Sequence, residues 1–132
     1  MQMLINSQWV DASDGQCIEV RNPANGELID TAPKGTLDDA RRAVEAAQEG
    51  KRRMGRLPAH ERATILFRVA DALEKNEHAL GELLARENGK PVQQTRAEVA
   101  VTARIFRGFG EEAKRMFGRV VPMDAVPGQE RH

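Results

Sequence analysis

The chain has 132 residues, with 20 Lys plus Arg against 20 Asp plus Glu, three His and one Cys. That length fits one domain, which would bury about two thirds of the surface its unfolded chain exposes. The balanced charge draws the chain to neither nucleic acid nor an anionic membrane, Cys17 alone excludes an internal disulfide framework or a cysteine-rich zinc site, and no apolar run reaches the roughly 20 residues that span a bilayer.

Met1-Gln2-Met3 has no basic flank leading into an apolar stretch, so no targeting signal is readable and a cytoplasmic location is expected. Residues 4–32 then read as short strands at Leu4-Ile5, Trp9-Val10, Ile18 and Val20 around Glu19, and Leu28-Ile29. Asn25-Gly26 predicts a type I′ hairpin turn with both central residues at positive φ. A small antiparallel ribbon of this kind is marginal in water and is expected to pack on helices or on further sheet.

From Thr36 the apolar period changes from two to about 3.6. Thr36 followed by Asp39 predicts a capping-box start to a first helix, which runs to about Glu49 with a thin stripe of Ala40, Ala43, Val44 and Ala47 and breaks over 50–57. Pro58 opens a second helix whose face is Ala63, Leu66, Val69, Ala70 and Leu73. Asn76 is expected to cap a third, shorter helix through Leu80, Leu83 and Leu84, Gly89 to stop it in the left-handed conformation, and Pro91 to start the next.

The fourth helix, about Val92 to Phe117, is apolar on two sides. Val99, Ala103, Phe106, Ala113 and Phe117 share one face, whereas Val101, Ile105, Phe109 and Met116 point elsewhere. A helix with two faces to bury is expected inside a larger assembly. Val120-Val121-Pro122 then predicts a short extended strand and Pro127-Gly128 a turn. The fold class is therefore α-rich α+β, an amino-terminal antiparallel β-ribbon followed by about four helices, with 1–118 as one unit and 119–132 opening a strand element.

Several residues invite a chemical reading. Gly108-Phe109-Gly110-Glu111-Glu112-Ala113 matches the dinucleotide pattern letter for letter, but it lies inside a helical period and its glutamates repel phosphate, so close packing by small residues is the expectation. Cys17 with His60 or His78 as base would need an activating environment, and Gln16 and Ile18 place it in a ribbon strand as a structural or exposed thiol. His60, His78, His132 and Cys17 show no metal-ligand spacing. Glu111 and Glu112 diverge by about 100° on a helix and with Lys114 and Arg115 form a charged face. The basic cluster Arg41, Arg42, Lys51, Arg52, Arg53 and Arg56 lacks the interleaved aromatics of single-strand binders and reads as a solvated patch.

Four stretches carry a family resemblance: Leu4-Ile5-Asn6-Ser7-Gln8-Trp9-Val10, Asn22-Pro23-Ala24-Asn25-Gly26-Glu27, Glu87-Asn88-Gly89-Lys90-Pro91, and Glu111-Glu112-Ala113-Lys114-Arg115 closing at Gly118 to Pro122. Together they resemble the amino-terminal portion of an NAD(P)-dependent aldehyde dehydrogenase, from about Leu4 to Pro122, and the Glu-Glu-Ala-Lys-Arg run is nearest the succinate-semialdehyde dehydrogenase-like branch. The resemblance implies part of a cofactor-binding domain, followed from Val120 by the first limb of a bridging element used in oligomerisation. It implies oxidation of an aldehyde to its acid through a thiohemiacetal and hydride transfer. The family's thiol nucleophile, general-base glutamate, cofactor-holding lysine and glycine-rich turn match no position here. Catalytic, cofactor-binding and metal residues are thus expected to be none, with NAD or NADP binding the complete enzyme and not this chain alone.

The helix containing Ile105 and Phe109 resembles the one that borders the family's substrate tunnel, which makes Val101, Ile105 and Phe109 tunnel-lining candidates; core packing explains them equally well. Two departures stand out. Arg107-Gly108 replaces an acidic residue and tryptophan usual in that branch, and Lys51 with Met54 replaces a phenylalanine and a tryptophan. The expected partners are the remainder of the dehydrogenase or a homo-oligomer, with an aldehyde substrate only in the complete enzyme and neither nucleic acid nor membrane. The competing expectation is a non-catalytic truncated relative acting as a helical oligomerisation or interaction module. Nucleic-acid binding through residues 41–56 is a distant third.

Overall fold

The computed structural model describes residues 1–118. The strand expected at Val120 to Pro122 and the turn at Pro127-Gly128 lie outside the described residues. Four strands precede four helices: β1 (Met3–Ile5), β2 (Gln8–Val10), β3 (Cys17–Arg21), β4 (Leu28–Pro33), α1 (Leu37–Arg56), α2 (Ala59–Lys75), α3 (Glu77–Asn88) and α4 (Val92–Ala113). This is the α-rich α+β order expected, with the ribbon split into two separate antiparallel hairpins, β1–β2 and β3–β4. Leu4 pairs with Trp9 in the first, and Ile18 with Ala32 in the second.

The turn with two left-handed residues falls at Asn6-Ser7 and not at Asn25-Gly26, where it was expected. Asn6 and Ser7 take φ of 51° and 62°, so the two-residue turn with both central residues left-handed joins β1 to β2. Between β3 and β4 only Gly26 has positive φ, at 74°. Pro23 fixes its own φ and drives the chain into a longer turn. There the Gly26 N–H donates to Asn22 O at 2.7 Å and the Ala24 N–H to Asn22 Oδ1 at 2.9 Å.

Thr36 and Asp39 form the expected capping box, but α1 continues past Glu49 to Arg56. Gly50 alone costs about 1 kcal/mol relative to alanine. Lys51 to Met54 beyond it are good helix formers, and Arg52 and Arg53 reach back to Glu49 at 3.0 and 3.2 Å. The helix stops at Leu57, where the following proline disfavours helical backbone. Its half-buried side chains are Ala43 and Ala46, whereas Ala40, Val44 and Ala47 are exposed, because α1 meets the other elements along β1 and turns that side inward.

Helices α2 and α4 pack along their lengths, with α3 closing against α4. Ala63 and Ala70 of α2 and Val99 and Ala103 of α4 are buried, with Leu66, Leu73, Phe106 and Ala113 half-buried beside them. Val69, expected on the inner face, is exposed instead. Small residues let these helices approach closely. A Cβ on Gly110 would come 2.8 Å from Phe67 Cδ1, and one on Gly81 would come 3.0 Å from Arg96 Cα, so only glycine fits without displacement. Beside Gly81 the buried Thr95 hydroxyl donates to its carbonyl at 2.7 Å.

Asn76 is the one residue between α2 and α3, and its amide donates to Ala72 O at 2.8 Å. Its side chain therefore closes α2, and the side-chain cap on α3 that the sequence predicts does not form. Gly89 ends α3 with φ 67°, as expected, and packs beside Pro23 of the ribbon turn. α4 ends at Ala113 rather than Phe117. Its last N–H groups tighten, with Lys114 donating to Glu111 O and Arg115 to Glu112 O. Phe117, expected on the inner face, lies beyond the helix and is 93% exposed.

Candidate functional site

The exposed side of α4 holds all three tunnel candidates. Val101 is 43% exposed, Ile105 51% and Phe109 63%, and Met116 continues the strip at 76%. Successive steps of four residues keep Val101, Ile105 and Phe109 on one side of the helix. The two-faced reading of α4 therefore holds, with Val99, Ala103 and Gly110 inward and the three candidates outward.

Two features fix this rotation of α4. Phe67 of α2 lies against Gly110, and the Arg107 guanidinium grips Asp71 and Glu74, one and two turns farther along α2. The hydrogen bonds from Arg107 hold the Glu74 carboxyl below its usual range, and the two acids raise the Arg107 guanidinium in return. Sequence reading marked Arg107 only as a departure; its partners are 33 and 36 residues away, beyond any local pattern.

Phe109 also lines a cleft of about 590 Å³, together with Met54, Ile65, Leu66, Ala113 and Met116. The cleft is missed by sequence reading because Met54 comes from the part of α1 expected to be broken. A second apolar groove of about 740 Å³ runs between α2 and α3, past Ile65, Val69, Leu73, Leu80 and Leu83.

The polar residues considered for chemistry stay apart. Cys17 is exposed on β3, whereas His60 and His78 face acids of their own helices, Glu61 at 4.0 Å and Glu82 at 3.4 Å. His132 lies outside the described residues. Among the described residues no group of three or more His, Cys, Asp or Glu is placed to hold a metal ion, and no helix is long and apolar enough to cross a membrane. Gly108 and Gly110 sit within α4, where their N–H groups belong to the helix and offer no phosphate cradle. Glu111 and Glu112 pair with Lys114 and Arg115. Of the basic cluster, Arg41 pairs with Asp38, Arg42 with Asp39, and Arg52 and Arg53 with Glu49, so four of its six cations have acidic partners on their own helix.

One buried acid is structural. Asp39, 1% exposed, accepts from the backbone N–H groups of Thr36 at 2.9 Å and Ser13 at 3.1 Å and from the Arg42 guanidinium. Those donors, Thr36 first, hold its carboxyl well below the usual range. The cluster fastens the loop after β2 to the start of α1.

With this geometry in place, the comparisons are direct. The aldehyde dehydrogenase family model matches residues 9–131. A glutarate-semialdehyde dehydrogenase of Pseudomonas aeruginosa is 41% identical over 129 residues, covering 98% of this chain and 26% of the relative. The NADP(+)-dependent succinate-semialdehyde dehydrogenase of Escherichia coli is 37% identical over the same length, again 98% and 26%. Among solved structures, an E. coli NADP-dependent enzyme overlays with a TM-score of 0.89 at 36% identity, over 95% of this chain and 26% of that one. The chain thus spans about a quarter of the length of the relatives it matches.

Proposed function

We propose, from the premise that this chain belongs to the aldehyde dehydrogenase family, that it forms the amino-terminal quarter of a cytoplasmic, oligomeric, NAD(P)-dependent enzyme oxidising an aldehyde, such as succinate semialdehyde, to its acid. The observation that carries this reading is the uncovered apolar strip of α4 on a helix whose other face is packed. Val101, Ile105 and Phe109 would form one wall of the aldehyde's passage, keeping water out and guiding an apolar chain. A strip of this kind calls for covering polypeptide, since contiguous exposed apolar patches usually mark an interface or a binding groove.

The one dinucleotide-like motif of this chain does not fit the nicotinamide cofactor. The glycines that match its motif are helical, and two glutamates follow them. Cofactor binding and hydride transfer would therefore fall to other parts of the enzyme, and this portion alone is expected to be without activity.

The test is a chimera in which residues 1–118 replace the matching quarter of the E. coli succinate-semialdehyde dehydrogenase. The expected result is NADPH formation from succinate semialdehyde by the chimera and none by the isolated chain. Activity from the isolated chain, or a folded chimera without activity, would overturn the reading.

The same exposed strip also favours a second reading, a non-catalytic module that pairs through its helices. Light scattering that finds a stable monomer of the isolated chain, with no dye-accessible apolar surface, would count against it.

A further inference from the structure

We infer that the cleft between the end of α1, the start of α2 and the end of α4 binds an apolar carboxylate, a molecule with an acid head on a hydrocarbon chain or ring. This goes beyond the dehydrogenase reading and does not depend on it.

The walls of the cleft are apolar. Ile65, Leu66 and Ala113 are half-buried in it, and Met54, Phe109 and Met116 stand more exposed around them. Its volume of about 590 Å³ falls within the roughly 300–1,000 Å³ of small-molecule sites, which are mostly apolar with a few placed polar groups. Two flexible thioethers can follow the outline of a chain or a ring, and Phe109 offers an aromatic face.

The placed polar group is Arg62, half-buried and lining the same cleft. Its Nη1 donates to Leu57 O at 2.7 Å, which ties the guanidinium to the C-terminal end of α1. Among the described residues Arg62 has no ion-pair partner. The adjacent Glu61 lies 4.0 Å from His60, and Glu112, the one acid lining the cleft, pairs with Arg115. A guanidinium carries five N–H donors in a planar fork, so the bond to Leu57 leaves most of them unspent. An unpaired, partly desolvated cation of this geometry is complementary to a carboxylate, which it can hold through two parallel bonds. The apolar walls complement the hydrocarbon behind that head, whereas an amine would meet Arg62 with like charge.

The experiment is isothermal titration of the whole 132-residue chain with octanoate, octanol and octylamine. Octanoate is expected to bind one to one with Kd below about 1 mM, about tenfold more tightly than either of the others. Arg62→Met is expected to bring octanoate down to the level of octanol. Phe109→Ser removes part of one wall and is expected to weaken octanoate about threefold or more. If Arg62→Met does not fold, the octanoate-to-octanol ratio and the Phe109→Ser titration decide. No binding of octanoate up to about 5 mM, equal affinity for the three probes, or Phe109→Ser titrating like the unsubstituted chain would each overturn the inference. So would sedimentation showing that the chain self-associates through Phe109 and Met116 regardless of octanoate, since the cleft would then be an interface between copies.

Discussion

Arg107 closes a fork on Glu74, donating from Nε to Oε1 at 3.0 Å and from Nη2 to Oε2 at 2.6 Å. Asp71 accepts from the same Nη2 at 2.8 Å. Phe67, Asp71 and Glu74 are spaced four and three residues apart along α2, so they form one edge that α4 meets with Gly110 and Arg107. The contact that buries Ala103 thereby determines where Ile105 and Phe109 point.

Arg107→Ala should accordingly lower Tm by about 3 °C at neutral pH and low salt, a modest effect because both partners are partly exposed. The difference from the unsubstituted chain should shrink in about 1 M salt. Its pH dependence follows from the depressed Glu74 carboxyl. A group whose pKa is lowered on folding contributes fully above its unfolded value, about 4.3, and loses that contribution as pH falls through the lowered one. Thermal melts from pH 7 to pH 3 should therefore begin to converge once the pH falls below that unfolded value; a constant difference would disprove the linkage.

Gly110→Ala tests the other half of that edge. The new Cβ would press on the Phe67 ring, and overpacking of this kind costs about 1–3 kcal/mol. Phe67→Leu in the same chain should recover part of the loss, since the two substitutions share one contact. Urea unfolding of the four chains gives the coupling directly, and additive losses would mean that the ring is not what Gly110 accommodates. Lys114, whose ammonium lies 5.4 Å from the ring centre, should keep its own small contribution in Gly110→Ala and lose it in Phe67→Leu.

What the sequence made legible here was whatever acts over three or four residues. The capping box at Thr36 and Asp39, the left-handed Gly89 and the two faces of α4 all follow from such local spacing. Asn25-Gly26 misleads because Pro23, two residues earlier, selects a different turn. The 50–57 stretch misleads because its two glycines, Gly50 and Gly55, are outweighed by the ion pairs and helix formers between and before them. The candidates Val101, Ile105 and Phe109 could be grouped from helical period alone, but the cleft beside Phe109 could not. That cleft needs Met54 brought from α1 and Ile65 from α2, contacts that no local pattern encodes.

The Asp39 cluster predicts an acid limb of its own. Thr36→Ala removes a cap and should cost about 1 kcal/mol. Asp39→Asn keeps the shape but not the charge that accepts from Thr36, Ser13 and Arg42. Because folding lowers the Asp39 pKa, its contribution is complete above the unfolded value near 3.9 and declines as pH drops below it. The unsubstituted chain should therefore lose stability more steeply than Asp39→Asn between about pH 4 and pH 2, as read by urea midpoints.

The outward strip of α4 should be separable from the stability of the chain. Ile105 and Phe109 are more than half exposed, so Ile105→Ser and Phe109→Ser remove little buried area and should change unfolding free energy by less than about 0.5 kcal/mol each. Val99→Ala, one face away on the same helix, removes buried methyl groups and should cost about 1–2 kcal/mol. Binding of an apolar dye should follow the opposite order, falling for the two outward serines and holding steady or rising for Val99→Ala. If the serine variants unfold as readily as Val99→Ala, the outward residues are part of this chain's own core, and the strip is no passage wall.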